Sequence, residues 1–281
     1  MRLLIADSGA TKTDWAYIDV HEGKPVFMKT GGLHPAYIDP VPVLTELKRS
    51  LSQCRPDLLI FYGAGCYSAE ASIPVRHLMK EAFGDIPMEI RDDLTAVAHA
   101  FLGDAEGIVG ILGTGSASGY FFAGERKEQV ASLGYVLGDE GSASDIGKRI
   151  LKSALRGEFS RSVMQYLESR LESLEYRDIM SALYGARRPS YYLADTAKAV
   201  LTGRYPSEIG NVVLAGFQSY MDSHLKRYRG FPMLPVILSG GMAVGEEDKI
   251  RQLLKQNAVE KMTVSGGVIS ALADRQIRRM K

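Results

Sequence analysis

The sequence predicts an α/β protein built as two domains, residues 1–104 and 105–281, each opening on a glycine-turned β-hairpin. Three observations lead there. The chain begins with an apolar run (RLLIAD), a short turn containing Gly9, and a second β-prone run. After the polar stretch GDAEG at 103–107 the same layout starts again as GIVGIL, GTGSAS and GYFF. Laying Gly115 on Gly9 sets Asp7-Ser8-Gly9-Ala10 in register with Gly113-Thr114-Gly115-Ser116. One such turn would signal only hairpin geometry, but two, about a hundred residues apart and each heading a similar layout, indicate an internal repeat.

Taken in order, residues 2–7 read as a strand, 8–12 as a turn, 13–20 as its partner strand and 25–30 as a third, followed by the loop GGLHP. Leu44, Leu47 and Leu51 recur at helical spacing, and the apolar run 58–62 is a buried strand. Ala71, Val75, Leu78 and Ala82 mark a helix over 70–83, residues 88–91 a strand, and 93–102 a further helix. The first domain is thus β-β-β-α-β-α-β-α. The second carries a helical insertion over roughly 141–226, then a strand at 235–240, a helix near 246–256, a short strand near 262–264 and a closing helix.

Composition narrows the function classes. With 46% apolar and 24% charged residues in 281, the chain can build real cores, so disordered and fibrous classes are excluded. Lys and Arg number 34 against 33 Asp and Glu, a net charge of +1, so no summed field favours nucleic acid or an anionic membrane. The apolar run before Asp7 is too short for a signal peptide, and no stretch is long enough to span a bilayer; the expectation is a cytoplasmic protein without membrane contact. Cys54 and Cys66 lack a CxxC arrangement and read as buried, reduced thiols. The five histidines show no metal spacing, and only His34, in the GGLHP loop, is placed to reach a cleft. The basic runs at 227–230 and 275–281 read as helix C-terminal turns.

Two turns rich in Gly, Ser and Thr, facing each other across a cleft, suit a polyphosphate. Their glycines admit backbone N–H groups to the oxygens, and Thr11, Thr13, Thr114 and Ser116 add hydroxyls. Asp7, ending the first strand, could hold Mg²⁺ through water. A third glycine loop, Ser239 to Ala243, follows a strand and precedes a helix; it reads equally as a ligand approach or a plain β-α turn. Asp92 and Asp93 stand between a strand and a helix, where one would cap the helix and the other could act as a general base. Asp139 and Glu140, between Gly138 and Gly141, also precede a helix, in a turn shaped to present a carboxylate.

The series ADSGATKTDWAY, GILGTGSASGY, LGYVLGDEGSASDIG and VILSGGMA, in this order over essentially the whole chain, resembles the N-acetylglucosamine kinase branch of the BadF/BadG ATPases, in the superfamily of sugar kinases, actin and heat-shock proteins. The resemblance implies two actin-like domains around a nucleotide cleft, with ATP and Mg²⁺ as cofactors. It implies that the first turn (Gly9, Thr11, Lys12, Thr13), the second (Gly113, Thr114, Gly115) and the third loop (Gly240, Gly241, Met242) bind the nucleotide, the last against the adenosine. LADTAKAVLTG (193–203) resembles a family helix lying near it. Asp93 would be the catalytic base, Asp139 a ligand of sugar hydroxyls, and His34, Ser116 and Ala117 neighbours of the sugar. The chain departs from the family at His34 and Ala117, where Asn is usual, and at Leu133, where some members have Trp.

The implied reaction is ATP-dependent phosphorylation of an amino-sugar hydroxyl, such as one on N-acetylglucosamine, with a small-molecule sugar as partner and a homodimer left open. Two other readings compete with it. An activator ATPase of the same broad family would need thiolates for an iron–sulfur cluster, for which Cys54 and Cys66 lack the local motif. An actin-like interaction protein without sugar chemistry would have no use for carboxylates at positions 93 and 139.

Overall fold

In the computed structural model, which describes residues 1–280, the opening run RLLIADS forms β1 (Arg2–Ser8), buried along nearly its whole length. Near-continuous apolar character suits a central strand covered on both faces. β2 (Lys12–Asp19) and β3 (Pro25–Gly31) continue antiparallel from it. α1 (Pro40–Ser50) then crosses to β4 (Leu58–Gly63), parallel to β1, and α2 (Ile73–Phe83) crosses to β5 (Met88–Asp92), parallel to β4. The sheet order is β3-β2-β1-β4-β5. α3 (Asp93–Val97) follows at once and passes into a wider π-type turn over 98–102, so the segment expected as one helix changes geometry midway. Trp15, fully buried, anchors the core with Leu4, Phe61 and Leu78, and its indole N–H donates to Thr30 Oγ1 at 2.9 Å.

The second sheet repeats the plan. β6 (Gly107–Leu112) pairs antiparallel with β7 (Ser116–Phe122), and β8 (Glu125–Glu128) lies beside β7. Where the first unit has α1 alone, the second has α4 (Gly134–Leu137), α5 (Ala143–Leu155), α6 (Arg161–Glu168), α7 (Tyr176–Gly185), α8 (Pro189–Leu201) and α9 (Ser207–Ser223). β9 (Val236–Ser239) then runs parallel to β6, followed by α10 (Gly241–Gly245), α11 (Glu247–Gln256), β10 (Met262–Val264), parallel to β9, and α12 (Val268–Met280). The order β8-β7-β6-β9-β10 mirrors the first sheet strand for strand. The short elements β8, α4 and α10 lack any period long enough to read from sequence.

By internal packing the chain divides into one unit of residues 1–105, 123–125 and 267–281, and another of 106–122 and 126–266. The closing helix, placed with the second domain by its position in the chain, thus belongs to the first unit. Its apolar face, with Val268, Leu272 and Ala273 buried, packs on β1 and β2, and Arg275 pairs with Asp104 at 3.3 Å. Among the described residues no helix is long and apolar enough to cross a membrane.

Candidate functional site

In the first unit the candidate residues gather at the carboxyl end of β1 and its neighbours. The turn between β1 and β2 closes through the Gly9 N–H donating to the Lys12 carbonyl at 2.9 Å. Thr11 is exposed at its tip, and Lys12 Nζ reaches Asp14 at 2.6 Å. Thr13 corrects its expectation as a phosphate donor. It is fully buried, and its hydroxyl donates to the Gly31 carbonyl at 2.9 Å while accepting from Ser8 Oγ at 2.8 Å. Ser8 Oγ in turn accepts from the Leu33 N–H at 3.0 Å, so this chain of bonds seats the GGLHP loop. Within that loop His34 caps the short helical turn Pro35–Tyr37 through the Ala36 N–H and stacks on Tyr37 at 4.9 Å.

Asp7, next to last in β1, stands between Asp14 on β2 and Tyr62 on β4 in the strand register. Burial, with the negative charges of Asp93 and Asp14, pushes its carboxyl up from 3.8 to about 7, against the opposing effect of Lys12. Native Asp7 therefore keeps its proton between about pH 4 and 7, where the unfolded chain has lost its own, so stability should fall as pH rises through that window. Asp7→Asn should flatten the slope in urea melts run across it; an unchanged slope would assign the effect to another group. A buried carboxylate that is costly to ionise is one that a cation would relieve. Among the described residues no three His, Cys, Asp or Glu side chains gather as a metal cage, so a divalent ion here would rest on Asp7 together with phosphate oxygens.

Asp92 and Asp93 divide their roles. Asp92 is the N-cap of α3: its carboxylate accepts from the Thr95 N–H at 3.0 Å and the Thr95 hydroxyl at 3.1 Å. Asp93, the first helical residue, accepts from its neighbour's amide, the Leu94 N–H, at 3.0 Å and lies near enough to Asp7 to raise its pKa. Of the pair, Asp92 is the one that caps α3.

The second unit builds its part on the N-terminus of α5. Ser142 caps that helix through the Asp145 N–H at 3.2 Å, and the Ala143 and Ser144 N–H groups donate to the carbonyls of Gly113 and Thr114 at 2.9 and 3.1 Å. The GTG turn is thereby docked beside the GDEG turn. Asp139 sits at φ +58°, a conformation L-residues seldom adopt and one that clusters at functional sites. Its carboxylate accepts from the Ser116 N–H at 3.2 Å, and a Cβ on Gly115 would come within 2.9 Å of it. Burial and the neighbouring Glu140 raise the Asp139 pKa, and the bond from the Ser116 amide opposes them. The hydroxyl of Ser116 is buried, and its Oγ alone among the buried side-chain polar atoms of the described residues lacks a hydrogen-bond partner. An orphaned buried hydroxyl on the residue that holds a half-buried carboxylate is a place for a hydroxyl-bearing ligand.

Ala117 contributes its carbonyl to the Tyr220 hydroxyl at 2.9 Å. Gly240 adopts φ +101°, and its Cα lies so close to β6 that a Cβ would meet the Leu112 carbonyl oxygen at 2.4 Å; Gly241, one residue on, has open space around it. Met242 is a second correction, since its side chain turns into the core with Leu112 and Leu238, leaving only its backbone for a ligand. Leu133 is exposed just before α4.

The thiols of Cys54 and Cys66 are free and buried, and burial raises both pKa values. Two residues that sequence reasoning left without a role, His224 and Tyr228, are buried and hydrogen-bonded to Ser118. Nothing local in the sequence signals contacts that span over a hundred residues.

No protein-family model and no curated protein matches the chain. Solved structures do. A proposed N-acetylglucosamine kinase of Porphyromonas gingivalis is 27% identical at a TM-score of 0.89, over 99% of this chain and 100% of its own. Another from Chromobacterium violaceum is 21% identical at 0.73, over 98% of each chain. A ROK family glucokinase of Streptomyces griseus, solved with glucose and AMPPNP, is 14% identical at 0.59, over 99% of this chain and 100% of its own; at such identities the likeness is one of fold.

Proposed function

We propose, for a chain that has the actin-like fold of sugar kinases, that the protein transfers a phosphoryl group from ATP to a hydroxyl of a sugar, and that the sugar is an N-acetylated hexosamine such as N-acetylglucosamine. The observation that carries this reading is the half-buried Asp139 carboxylate held by the amide of Ser116, whose own hydroxyl is orphaned, a pair suited to a polyol, in a chain similar along its whole length to a proposed N-acetylglucosamine kinase. In this reading the enzyme is a cytoplasmic carbohydrate kinase, drawing on the ATP available there.

The sugar oxygen forms a bond to the γ-phosphorus as the bond to the β-phosphate oxygen breaks, and the hydroxyl proton passes to Asp93. Asp139 accepts hydrogen bonds from sugar hydroxyls and orients the ring, with Ser116 Oγ as a further partner. The Gly9 and Gly115 turns present backbone N–H groups to the phosphates, joined by the hydroxyls of Thr11 and Thr114. Asp7 would hold Mg²⁺, which when bound offsets charge on the transferring phosphates. Gly240 and Gly241 would lie against the nucleoside.

The direct test is ADP release on addition of N-acetylglucosamine, N-acetylmuramic acid, glucosamine, N-acetylmannosamine or glucose. Turnover should need sugar, and be fastest with an N-acetylated one; ATP hydrolysis indifferent to every sugar would sink the reading. Thr114→Ala should weaken ATP binding by about 1.5 to 3 kcal/mol, the usual worth of a hydrogen bond to a charged oxygen. Unaltered affinity in a titration of the variant would show that the phosphates lie elsewhere.

A further inference from the structure

Ser118 on β7, His224 at the end of α9 and Tyr228 just beyond it meet in the core of the second unit, although 106 and 110 residues separate the latter two from Ser118. All three are buried. One assignment of protons gives every group in this chain a partner. The Val130 N–H donates to the Tyr228 hydroxyl oxygen at 3.0 Å and, in that assignment, the Tyr228 hydrogen goes to Ser118 Oγ at 2.7 Å. The Ser118 hydrogen then goes to His224 Nδ1 at 3.0 Å. His224 therefore accepts at Nδ1 and carries its proton on Nε2, and Nε2 faces Glu140 Oε2 at 3.5 Å. Tyr220 stacks on the imidazole with ring centroids 4.7 Å apart. Burial holds the His224 pKa below its ordinary value against the pull of Glu140, in keeping with a neutral ring.

This wire ends one residue from Asp139. The turn carrying Asp139 has left-handed backbone at both Asp139 (φ +58°) and Gly141 (φ +72°), a conformation that persists only where the surroundings hold it. The Asp139 carboxylate accepts a 3.2 Å bond from the Ser116 amide, and the Asp139 carbonyl one of 3.1 Å from the Ser142 N–H. We propose that His224 and Glu140 are a positioning pair for Asp139: the fixed imidazole N–H anchors the Glu140 carboxylate and so holds the GDEG turn where Asp139 meets Ser116. The activity readout of this proposal rests on the sugar-kinase reading above; its structural readout does not.

Two substitutions at one position separate positioning from simple core bonding. In His224→Gln the amide N–H can stand in for Nε2–H toward Glu140, but the acceptor for Ser118 is lost. In His224→Asn the carbonyl can stand in for Nδ1 toward Ser118, but the reach to Glu140 is lost. Positioning predicts that Gln keeps the sugar KM near that of the parent. Asn should raise it about 10- to 100-fold, the cost of a small misplacement at a reacting centre, with the ATP KM unchanged. Glu140→Ala, at a side chain that is partly exposed and so safe for folding, should match His224→Asn. Hydrogen exchange at the Ser116 amide supplies the second readout: faster in His224→Asn and Glu140→Ala, and as in the parent in His224→Gln. A Glu140→Ala variant with parental Ser116 protection overturns the proposal. So does a His224→Asn variant that behaves as the parent while His224→Gln does not. If no sugar elicits ADP release from the parent protein, the kinase reading fails, and exchange at Ser116 alone decides the positioning role.

Discussion

Asp93→Asn is expected to lower sugar-dependent ADP release by about 10²- to 10⁴-fold, the share usually supplied by a positioned general base, while ATP affinity stays close to that of the parent. Asn keeps the shape of the side chain and loses its capacity to take a proton. The adjacent Asp92 supplies the control, because its two bonds to Thr95 identify it as the cap of α3. Asn caps a helix about as well as Asp, so Asp92→Asn should be mild in both activity and stability. The Asp93 variant has a second consequence: removing its charge takes away one of the causes that raise Asp7, so the stability of the variant should depend less steeply on pH between about 4 and 7. Full sugar-dependent turnover in Asp93→Asn, with loss in Asp92→Asn, would reverse the assignment of base and cap.

Gly240→Ala is expected to cost roughly 3 kcal/mol of stability and to weaken nucleotide binding, whereas Gly241→Ala should do little. At Gly240 a side chain meets two penalties together. The backbone is at φ +101°, and the new Cβ would sit 2.4 Å from the Leu112 carbonyl oxygen and 3.0 Å from the Gly113 nitrogen. Those are backbone atoms of β6 and the GTG turn, which cannot give way as a flexible side chain would. At Gly241 nothing lies within 4 Å of the added atom. Thermal melts of the two variants, with and without ATP, make the comparison. Equal behaviour would mean that the loop after β9 is not held against the GTG turn as described.

The repeated α/β plan was legible in the sequence because it is written in short-range periodicity: RLLIAD and GIVGIL are apolar enough for central strands, and each is followed by glycines at a sharp turn. The placement of the carboxylates was legible in part. Asp93 stands at a strand-to-helix junction and Asp139 lies between glycines, both visible as spacing. Which of Asp92 and Asp93 caps α3 was settled by where the helix begins, since the residue just before its first turn receives the Thr95 amide. Tertiary structure decided Thr13, whose hydroxyl looks like a ligand donor in a Gly/Thr-rich turn and is instead consumed between Ser8 and Gly31 once β2 pairs with β3.

By itself, the sequence determined two hairpin-led α/β halves, a helical insertion in the second, and the Gly, Thr and Asp residues that stand at their turns. These follow from side-chain period and turn chemistry, which act over a few residues. Tertiary structure decided what depends on residues far apart in the chain. α12 returns to β1 and β2 across the whole sequence because its apolar face needs a sheet to cover it. His224 and Tyr228 become buried partners of Ser118, and Asp139 reaches the Ser116 amide because Gly115 leaves room for its carboxylate. Long-range contacts of this kind leave no local periodicity, since each is settled by which surfaces exclude water together and which buried polar atoms then find a partner.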